Sequence, residues 1–359
     1  MTPELQTNRG GTLDEIAGEL GSIPGVEVTR DVPAATLCTY RAGGPLAIHA
    51  LIENHEALAE VASLLSDTAV ETLPIGKGSN LLVADAGFDG VALVLGDGFT
   101  DISIDDTTVT AGGAASLPVV ARATVAAGLH GFGWAVGVPG SIGGAVRMNA
   151  GGHGADMSES LNSVRVGDLA LGGLLNRSVD SLELSYRSSN LEPWHIVADA
   201  TLDLEMVDEA GTGQDSSAAA EVDSDTRLRS IVSWRRENQP GGANAGSVFT
   251  NPAGDSAGRL IDAAGLKGTR VGSAEVSTKH ANFIQVDTEG RADDVMALMA
   301  QVVDRVWEHA GVKLHAETRL IGFSPSQVAK VAPDVGTQSG ASAKGNAAQN
   351  QEGKHRDSN

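Results

Sequence analysis

The chain has 359 residues, enough for two or three domains of the usual ~100–200 residues. Its 25 Lys and Arg against 46 Asp and Glu give a net charge of −21, which argues against sequence-independent nucleic-acid binding. The single cysteine, Cys38, cannot form an internal disulfide and excludes a zinc site built from cysteines. No apolar run reaches the ~20 residues of a membrane span, and no signal-peptide stretch opens the chain. We therefore expect a cytoplasmic protein without membrane insertion.

Helices and short strands alternate along the predicted chain. Apolar residues at helical spacing predict helices over 54–66 and 116–127, and a third that contains Val295, Met299, Val302 and Val306. Short apolar runs bounded by glycine or aspartate predict strands at 73–75, 81–83, 91–95, 161–166, 181–185, 195–205 and 318–323. This alternation is typical of an α+β fold and does not suit an all-parallel, doubly wound sheet.

Three segments stand outside this pattern. Residues 1–29 have only weak helical periodicity and are interpreted as an N-terminal arm. Residues 208–226 hold six acidic and no basic side chains, so 206–226 is interpreted as an acidic insertion or linker in preference to a recognition loop. Residues 325–359 lack periodicity and are predicted to be a disordered tail.

Two glycine-rich segments, 74–81 and 138–152, could hold a charged cofactor. Glycine lets backbone N–H groups approach a phosphate closely and form an anion-binding concavity. The first segment has Leu81 where a dinucleotide-binding G-x-G-x-x-G needs glycine, and Gly78 follows Lys77 where a Walker A loop needs serine or threonine. Ordinary glycine-rich turns are an equally good interpretation of composition alone. Two such loops with Ser and Asn donors favour an extended ligand such as a dinucleotide.

Eight motifs follow one another across residues 36–323. They are TYRAGGP at 39–45, GKGSNLLV at 76–83, VPGSIGGAVRMNAG at 138–151, SYRSS at 185–189, AGSVFTNP at 245–252, AGRLIDAAGLKG at 257–268, HANFI at 280–284 and ETRLIG at 317–322. In this order they resemble the UDP-N-acetylenolpyruvoylglucosamine reductase (MurB) family of flavoenzymes. The resemblance implies a bipartite FAD-binding domain of the vanillyl-alcohol-oxidase (PCMH) type over 30–205, completed by a strand at 315–323. A C-terminal α+β substrate-binding domain would span 227–314.

The resemblance also implies a reaction of bacterial peptidoglycan precursor synthesis. NADPH would reduce non-covalently bound FAD, which would then reduce the enolpyruvyl ether of UDP-N-acetylglucosamine to UDP-N-acetylmuramate. Arg187 and Glu317 match the family positions that stabilise the enolate, and Ser247 matches the proton donor to the α-carbon. A charged carboxylate beside the enolate would repel it, so Glu317 would help only if it is protonated or if it positions Arg187, and we expect its pKa to be raised. The partners would be the UDP-sugar and NADPH, with no nucleic acid and with a monomeric chain.

Further contacts are carried over with the motifs. The FAD-binding residues would be Gly76, Gly78, Ser79, Asn80, Leu81, Pro139, Gly140, Ser141, Gly144 and Gly151. Asn251, Lys279 and Arg319 are candidate contacts for the UDP or the substrate carboxylate. Thr250 departs from the lysine of many members, so no lysine role is carried to this position. The short 186–195 segment indicates the subgroup that lacks a tyrosine-bearing substrate loop.

Other interpretations attach to the same residues. Taken singly, Arg187 would be a surface ion-pair partner, Ser247 a turn residue, Glu317 a solvated charge and Lys279 an exposed lysine. Rival functions are a non-catalytic nucleotide-binding module and a flavin oxidase of the same superfamily, for which no linking His or Cys motif is evident. His315 and Glu317 alone do not make a metal hydrolase site, because no third ligand is nearby.

Overall fold

The computed structural model describes residues 11–206 and 216–332, with side chains for all of them except 216–225. Its helices are α1 Leu13–Gly21, α2 His55–Ser66, α3 Leu117–Ala126, α4 Ile142–Arg147, α5 Ser216–Asn238, α6 Ala257–Ala263, α7 Ala292–Ala310 and α8 Pro325–Val331. Its strands are β1 Val26–Pro33, β2 Pro45–Ile52, β3 Thr72–Ile75, β4 Leu81–Val83, β5 Phe88–Leu95, β6 Ile102–Asp105, β7 Thr108–Gly112, β8 Leu129–His130, β9 Gly151–Gly152, β10 Ala155–Asp156, β11 Leu161–Asp168, β12 Leu174–Ser178, β13 His195–Asp203, β14 Glu205–Met206, β15 Arg270–Val271, β16 Ala274–Val276, β17 Ile284–Val286 and β18 Arg319–Ile321.

The first lobe is a mixed sheet in the order β1-β2-β5-β3, with β5 parallel to both of its neighbours. Helix α2 begins after Asn54, whose side chain caps the Ala57 N–H, and it buries Leu58 and Val61 against the sheet. The predicted helix 54–66 is therefore confirmed. The predicted N-terminal arm is wrong for residues 11–29, because α1 begins with a capping box at Thr12 and buries Leu20 completely in this same core; residues 1–10 lie outside the described part of the chain.

The second lobe is an antiparallel sheet in the order β12-β11-β13-β7-β6. Helices α3 and α4 contribute to its core, and α3 agrees with the predicted helix 116–127. The predicted strand at 181–185 is wrong. Leu182 is a single buried anchor at the end of a 3₁₀ helix, and the next residue, Glu183, has a left-handed backbone that an extended strand does not allow.

Helix α5 corrects the predicted boundary before residue 227. The helix begins at Ser216, so the second half of the acidic segment is helical, whereas 207–215 lie outside the described residues. Leu228 and Ile231 are buried in the core of the second lobe. The last turns of α5 therefore pack on the second lobe, and the C-terminal region begins after Asn238.

The C-terminal region packs α6 and the amphipathic helix α7 on the small sheet β15-β16-β17. Helix α7 buries Val295, Met299, Val302 and Val306, which are the residues whose spacing predicted it. The chain then returns to the first lobe, where β18 pairs in parallel with β4. This return carries Glu317 and Arg319 to the loop that connects β3 with β4, because the Arg319 N–H donates to the Asn80 carbonyl.

The predicted disordered tail is wrong for residues 325–332. Ser324 and Gln327 form a capping box at the start of α8, and Val331 is fully buried. The Val331 carbonyl accepts a hydrogen bond of 2.8 Å from the Ala316 N–H. The low hydrophobicity of residues 325–359 as a whole concealed this one short capped helix. Residues 333–359 lie outside the described part of the chain. In the described ranges, no helix combines the length and apolar character that crossing a bilayer requires.

Truncation after Ser324 tests the role of α8. It exposes the surface that Val331 covers and removes the partner of the Ala316 N–H, so we expect a loss of stability of at least the ~1.5–3 kcal/mol of one buried valine. A chain that ends at Ala332 keeps both contacts and is the control. Thermal unfolding measures the difference, and equal melting temperatures for the two truncations would contradict a packed α8.

Candidate active site

A cavity of about 1400 Å³ lies where the two lobes and the C-terminal region meet. Its wall includes the β3–β4 loop, the loop before α4, the turn at Arg187 and the segment around Glu317. This volume exceeds the ~300–1,000 Å³ of an ordinary small-molecule site. The cavity therefore has room for a dinucleotide and a second ligand beside it.

The two glycine loops lie against each other in the cavity wall. A Cβ placed on Gly76 would lie 2.5 Å from the Ser141 Oγ, and one on Gly140 would lie 3.5 Å from the Ser79 Oγ. Ser141 is the N-cap of α4, where its hydroxyl accepts a hydrogen bond from the Gly144 N–H. A side chain at Gly76 would crowd the Ser141 hydroxyl, whereas a Cβ at Gly140 would make only an ordinary contact, so the close approach of the loops requires glycine at position 76.

The first loop offers hydrogen-bond donors to the cavity. Among the described residues, none accepts a hydrogen bond from the backbone N–H groups of residues 77–80. Gly78 holds the turn with a φ of +58°, and a Cβ at this position would lie 2.0 Å from the Leu37 carbonyl oxygen. A row of unengaged N–H groups in such a turn suits a phosphate group.

Arg187 occupies a strained turn. Ser185 and Ser188 pair through two backbone hydrogen bonds, and Arg187 between them has a φ of +55°. Glycine adopts this conformation freely, whereas another residue pays about 1–2 kcal/mol for it. In this turn the Arg187 side chain lines the cavity, and its Nη2 donates to the Gly151 carbonyl at 3.0 Å.

Glu317 is the ionic partner of Arg187. Its Oε1 lies 3.0 Å from the Arg187 Nε, and both side chains are mostly buried. Burial raises the pKa of Glu317 above its usual range, and the Arg187 charge only partly offsets that rise. The expectation of a raised pKa is therefore confirmed.

Ser247 is brought beside this pair by backbone hydrogen bonds. The Glu317 N–H donates to the Val248 carbonyl at 2.8 Å, and Phe249 forms an antiparallel bridge with Ala316. The Asn282 side chain fixes Phe249 by accepting from its N–H and donating to its carbonyl. Three segments distant in sequence thus bring Arg187, Ser247 and Glu317 to the lining of one cavity.

The same division of the chain is evident in two family models. An FAD binding domain matches residues 46–176, and the C-terminal domain of UDP-N-acetylenolpyruvoylglucosamine reductase matches residues 238–321. A reductase of that name from Heliobacterium modesticaldum is 37% identical over 313 residues, covering 84% of this chain and 96% of the relative. The chain belongs to the UDP-N-acetylenolpyruvoylglucosamine reductase family.

Other members agree with this assignment. The reductase from Bacillus subtilis is 33% identical over 315 residues, covering 86% of this chain and 99% of the relative. The solved structure of the enzyme from Thermus caldophilus superimposes with a TM-score of 0.68 at 32% identity, covering 82% of this chain and 98% of that one. The chain therefore has the predicted α+β fold, with a PCMH-type FAD-binding domain and a C-terminal α+β domain.

The lining of the cavity suits the anionic FAD of this reductase family. All ten residues expected to bind the cofactor line it: Gly76, Gly78, Ser79, Asn80, Leu81, Pro139, Gly140, Ser141, Gly144 and Gly151. Five described cationic residues line it as well, against three carboxylates, Glu71, Asp89 and Glu317, although the chain as a whole is strongly acidic. The cations are Lys77, Arg147, Arg187, Arg235 and Arg319. Facing N–H donors and a local excess of positive charge fit a diphosphate.

Arg147 is a cavity residue that the sequence analysis missed. Its guanidinium donates to the Leu191, Glu192 and His195 carbonyls, and no carboxylate of the described residues forms an ion pair with it. Burial, with the nearby Arg319 charge, lowers the pKa of Arg147 to about 10. In the sequence, Arg147 is only one residue of a glycine-rich motif. An arginine at the end of a short helix carries no functional signal by itself.

The three candidate substrate contacts have different surroundings. Arg319 lines the cavity, and burial lowers its pKa. Asn251 does not line it, and its Oδ1 instead accepts from the Ala257 N–H at the start of α6. Lys279 also lies outside the lining, with its Nζ donating to the Arg236 carbonyl at 2.7 Å. Thr250 is turned to the His315 carbonyl and does not replace the missing lysine.

Cys38 lies outside the cavity lining and is buried, which raises the pKa of its thiol to about 12. In the described ranges, no group of three His, Cys, Asp or Glu side chains is arranged to hold a metal ion.

Substitution of Gly78 by alanine tests the first glycine loop. The new Cβ must displace the Leu37 carbonyl or the loop, so we expect FAD binding to weaken by about tenfold or more. Gly173→Ala is the matched control, because Gly173 also has positive φ but its Cβ would meet no atom within 4 Å. The flavin-to-protein absorbance ratio measures binding. Equal flavin content in both variants would contradict the cofactor role of this loop.

Proposed function

We propose that this chain reduces UDP-N-acetylglucosamine enolpyruvate to UDP-N-acetylmuramate, with NADPH as the electron donor and FAD as the bound cofactor. Family membership supports the reaction, and the convergence of Arg187, Ser247 and Glu317 on the lining of one cavity is the observation that carries it. NADPH loses a hydride, and the substrate gains a hydride at its vinyl β-carbon and a proton at its α-carbon. When bound, FAD carries the hydride from one to the other.

Arg187 is proposed to hold the substrate carboxylate. Hydride arrival at the β-carbon leaves negative charge on the α-carbon, which spreads into the carboxylate as an enolate. A planar guanidinium with paired donors matches that group and keeps its charge at any working pH. The Gly151 carbonyl and Glu317 hold Arg187 from two sides, so its orientation exists before the substrate binds.

Glu317 is proposed to act through Arg187 and through its own raised pKa. The ion pair orients the guanidinium while the carboxyl remains mostly buried in the cavity wall. A carboxyl with a raised pKa can accept a proton at less cost when a second anion arrives beside it. Repulsion of the enolate is thereby reduced.

Ser247 is proposed to deliver the proton to the α-carbon. A hydroxyl is a weak acid, but an enolate carbon is basic enough to take its proton when the geometry is held. That geometry is supported by the backbone pairing of residues 248–250, which directly follow Ser247, with residues 315–317 and by the hydrogen bonds between Asn282 and Phe249. We further propose that the protein acts as a monomer in the cytoplasm.

Analysis of the product tests the reaction. Incubation with NADPH and the enolpyruvyl sugar nucleotide should yield a product that has gained two hydrogen atoms, with one NADPH consumed per product, as measured by mass spectrometry and absorbance. Consumption of NADPH and oxygen with no change in the sugar nucleotide would reject the proposal in favour of an oxidase.

Ser247→Ala separates the two half-reactions. We expect flavin reduction by NADPH to remain near wild type, whereas reoxidation by the enolpyruvyl substrate slows by about 10²- to 10⁴-fold. Ser103→Ala, at an exposed position of β6, is the control and should affect neither step. Stopped-flow absorbance under anaerobic conditions follows both. Equal loss of the two half-reactions would remove Ser247 from the proton-donor role.

A further inference from the structure

Trp234 is an exposed aromatic residue on the wall of the cavity. It lies on α5, and 48% of its surface is exposed although it contributes to the lining. On the same helix, Ile231 is buried in the second-lobe core, and Arg235 packs against Gly137, just before the second glycine loop. The helix is thereby fixed, and the indole is left with one side open to the cavity. An indole held open to solvent beside a ligand site indicates a surface that a ligand covers.

The ring of His153, in the β9–β10 hairpin, lies beside this indole. The two ring centroids are 5.5 Å apart and the ring planes are nearly perpendicular, at 85°. His153 lies in the two-residue turn between β9 and β10, where it has a φ of +56°. Asn149 fixes this hairpin, since its amide donates to Asp156 and its Oδ1 accepts from the Ser158 N–H. Both rings are therefore positioned by the fold before any ligand binds.

This aromatic pair is linked to the proposed catalytic arginine. The Gly151 carbonyl, which accepts from Arg187, lies two residues before His153 in the same hairpin. The positive charges of Arg235 and Arg227 act on His153, and Arg235 also lines the cavity. Burial and those charges lower the pKa of His153, which keeps its ring neutral near pH 7. Two flat rings in a cavity that arginines also line match a planar base attached to phosphates.

We propose that Trp234 and His153 form the binding surface for the base of a nucleoside diphosphate, with the base stacked on the indole. The proposal rests on the proposed function, which supplies two such ligands: the uridine diphosphate of the sugar nucleotide and the pyridine nucleotide. In the proposed function both nucleotides react at this cavity, so the base of either could occupy this surface. Trp234 is then a specificity residue for nucleotide substrates and takes no part in the chemistry.

Calorimetric titration of the oxidised, FAD-loaded enzyme with UDP and with NADP⁺ tests this surface. We expect Trp234→Ala to weaken binding of at least one of them by roughly 5- to 100-fold, with Trp234→Phe restoring most of the affinity. His153→Asn, which tolerates the left-handed turn, should weaken the same ligand. Inorganic pyrophosphate, which has no base, should bind wild type and Trp234→Ala equally.

Trp307→Ala is the matched control, because Trp307 is also exposed, at 57%, and lies on α7 outside the cavity lining. Loss of UDP affinity alone assigns the surface to the sugar nucleotide, and loss of NADP⁺ affinity alone assigns it to the reductant; either supports the proposal. Unchanged affinity for both ligands in Trp234→Ala overturns it while leaving the proposed function intact. Failure of the wild type to bind either nucleotide would overturn both proposals.

Discussion

The ion pair between Arg187 and Glu317 is the contact on which the arrangement of the site depends. Arg187 belongs to a strained turn of the second lobe, whereas Glu317 belongs to the segment that returns from the C-terminal region to the first lobe. Their contact at 3.0 Å joins parts of the chain 130 positions apart, and the backbone of the Glu317 segment in turn holds Ser247 in place. A desolvated pair of this kind contributes little net stability, because burial of both charges offsets their attraction. Its value lies in orienting a guanidinium toward a cavity that binds anions.

The cavity is lined by more cationic than anionic side chains, whereas the chain as a whole is strongly acidic. The protein carries a net charge of −21, yet arginines collect around the space between the lobes. Arg147 and Arg319 have lowered pKa values chiefly because they are buried, and ligand phosphates or carboxylates would relieve that cost. An acidic exterior with a cationic cavity restricts anionic ligands to one place.

The sequence predicted those helices and loops whose residues follow a local pattern, such as helical spacing or a high density of glycine. Helical spacing located α2 and α7, and glycine density located both loops that face the cavity. The N-terminal arm and the tail were misjudged because α1 and α8 are short helices stabilised by caps and by one or two buried residues, which composition averages conceal. Family motifs predicted Arg187, Ser247 and Glu317, all of which line the cavity, whereas Asn251 and Lys279 lie outside the lining and their side chains form local hydrogen bonds. Trp234 and His153 had no sequence signal, since only the tertiary fold brings the helix beside the hairpin.

The most direct test of the account is the anaerobic flavin spectrum of wild type and of Arg187→Lys, recorded after NADPH and again after the enolpyruvyl sugar nucleotide. NADPH should bleach the flavin band in both proteins. The sugar nucleotide should restore it rapidly in wild type and about 10²-fold or more slowly in the variant, because a lysine keeps the charge but loses the paired donors. Recovery of the variant at the wild-type rate would contradict the proposed clamp on the enolate. Recovery of the wild type only on admission of air would contradict the assigned reaction.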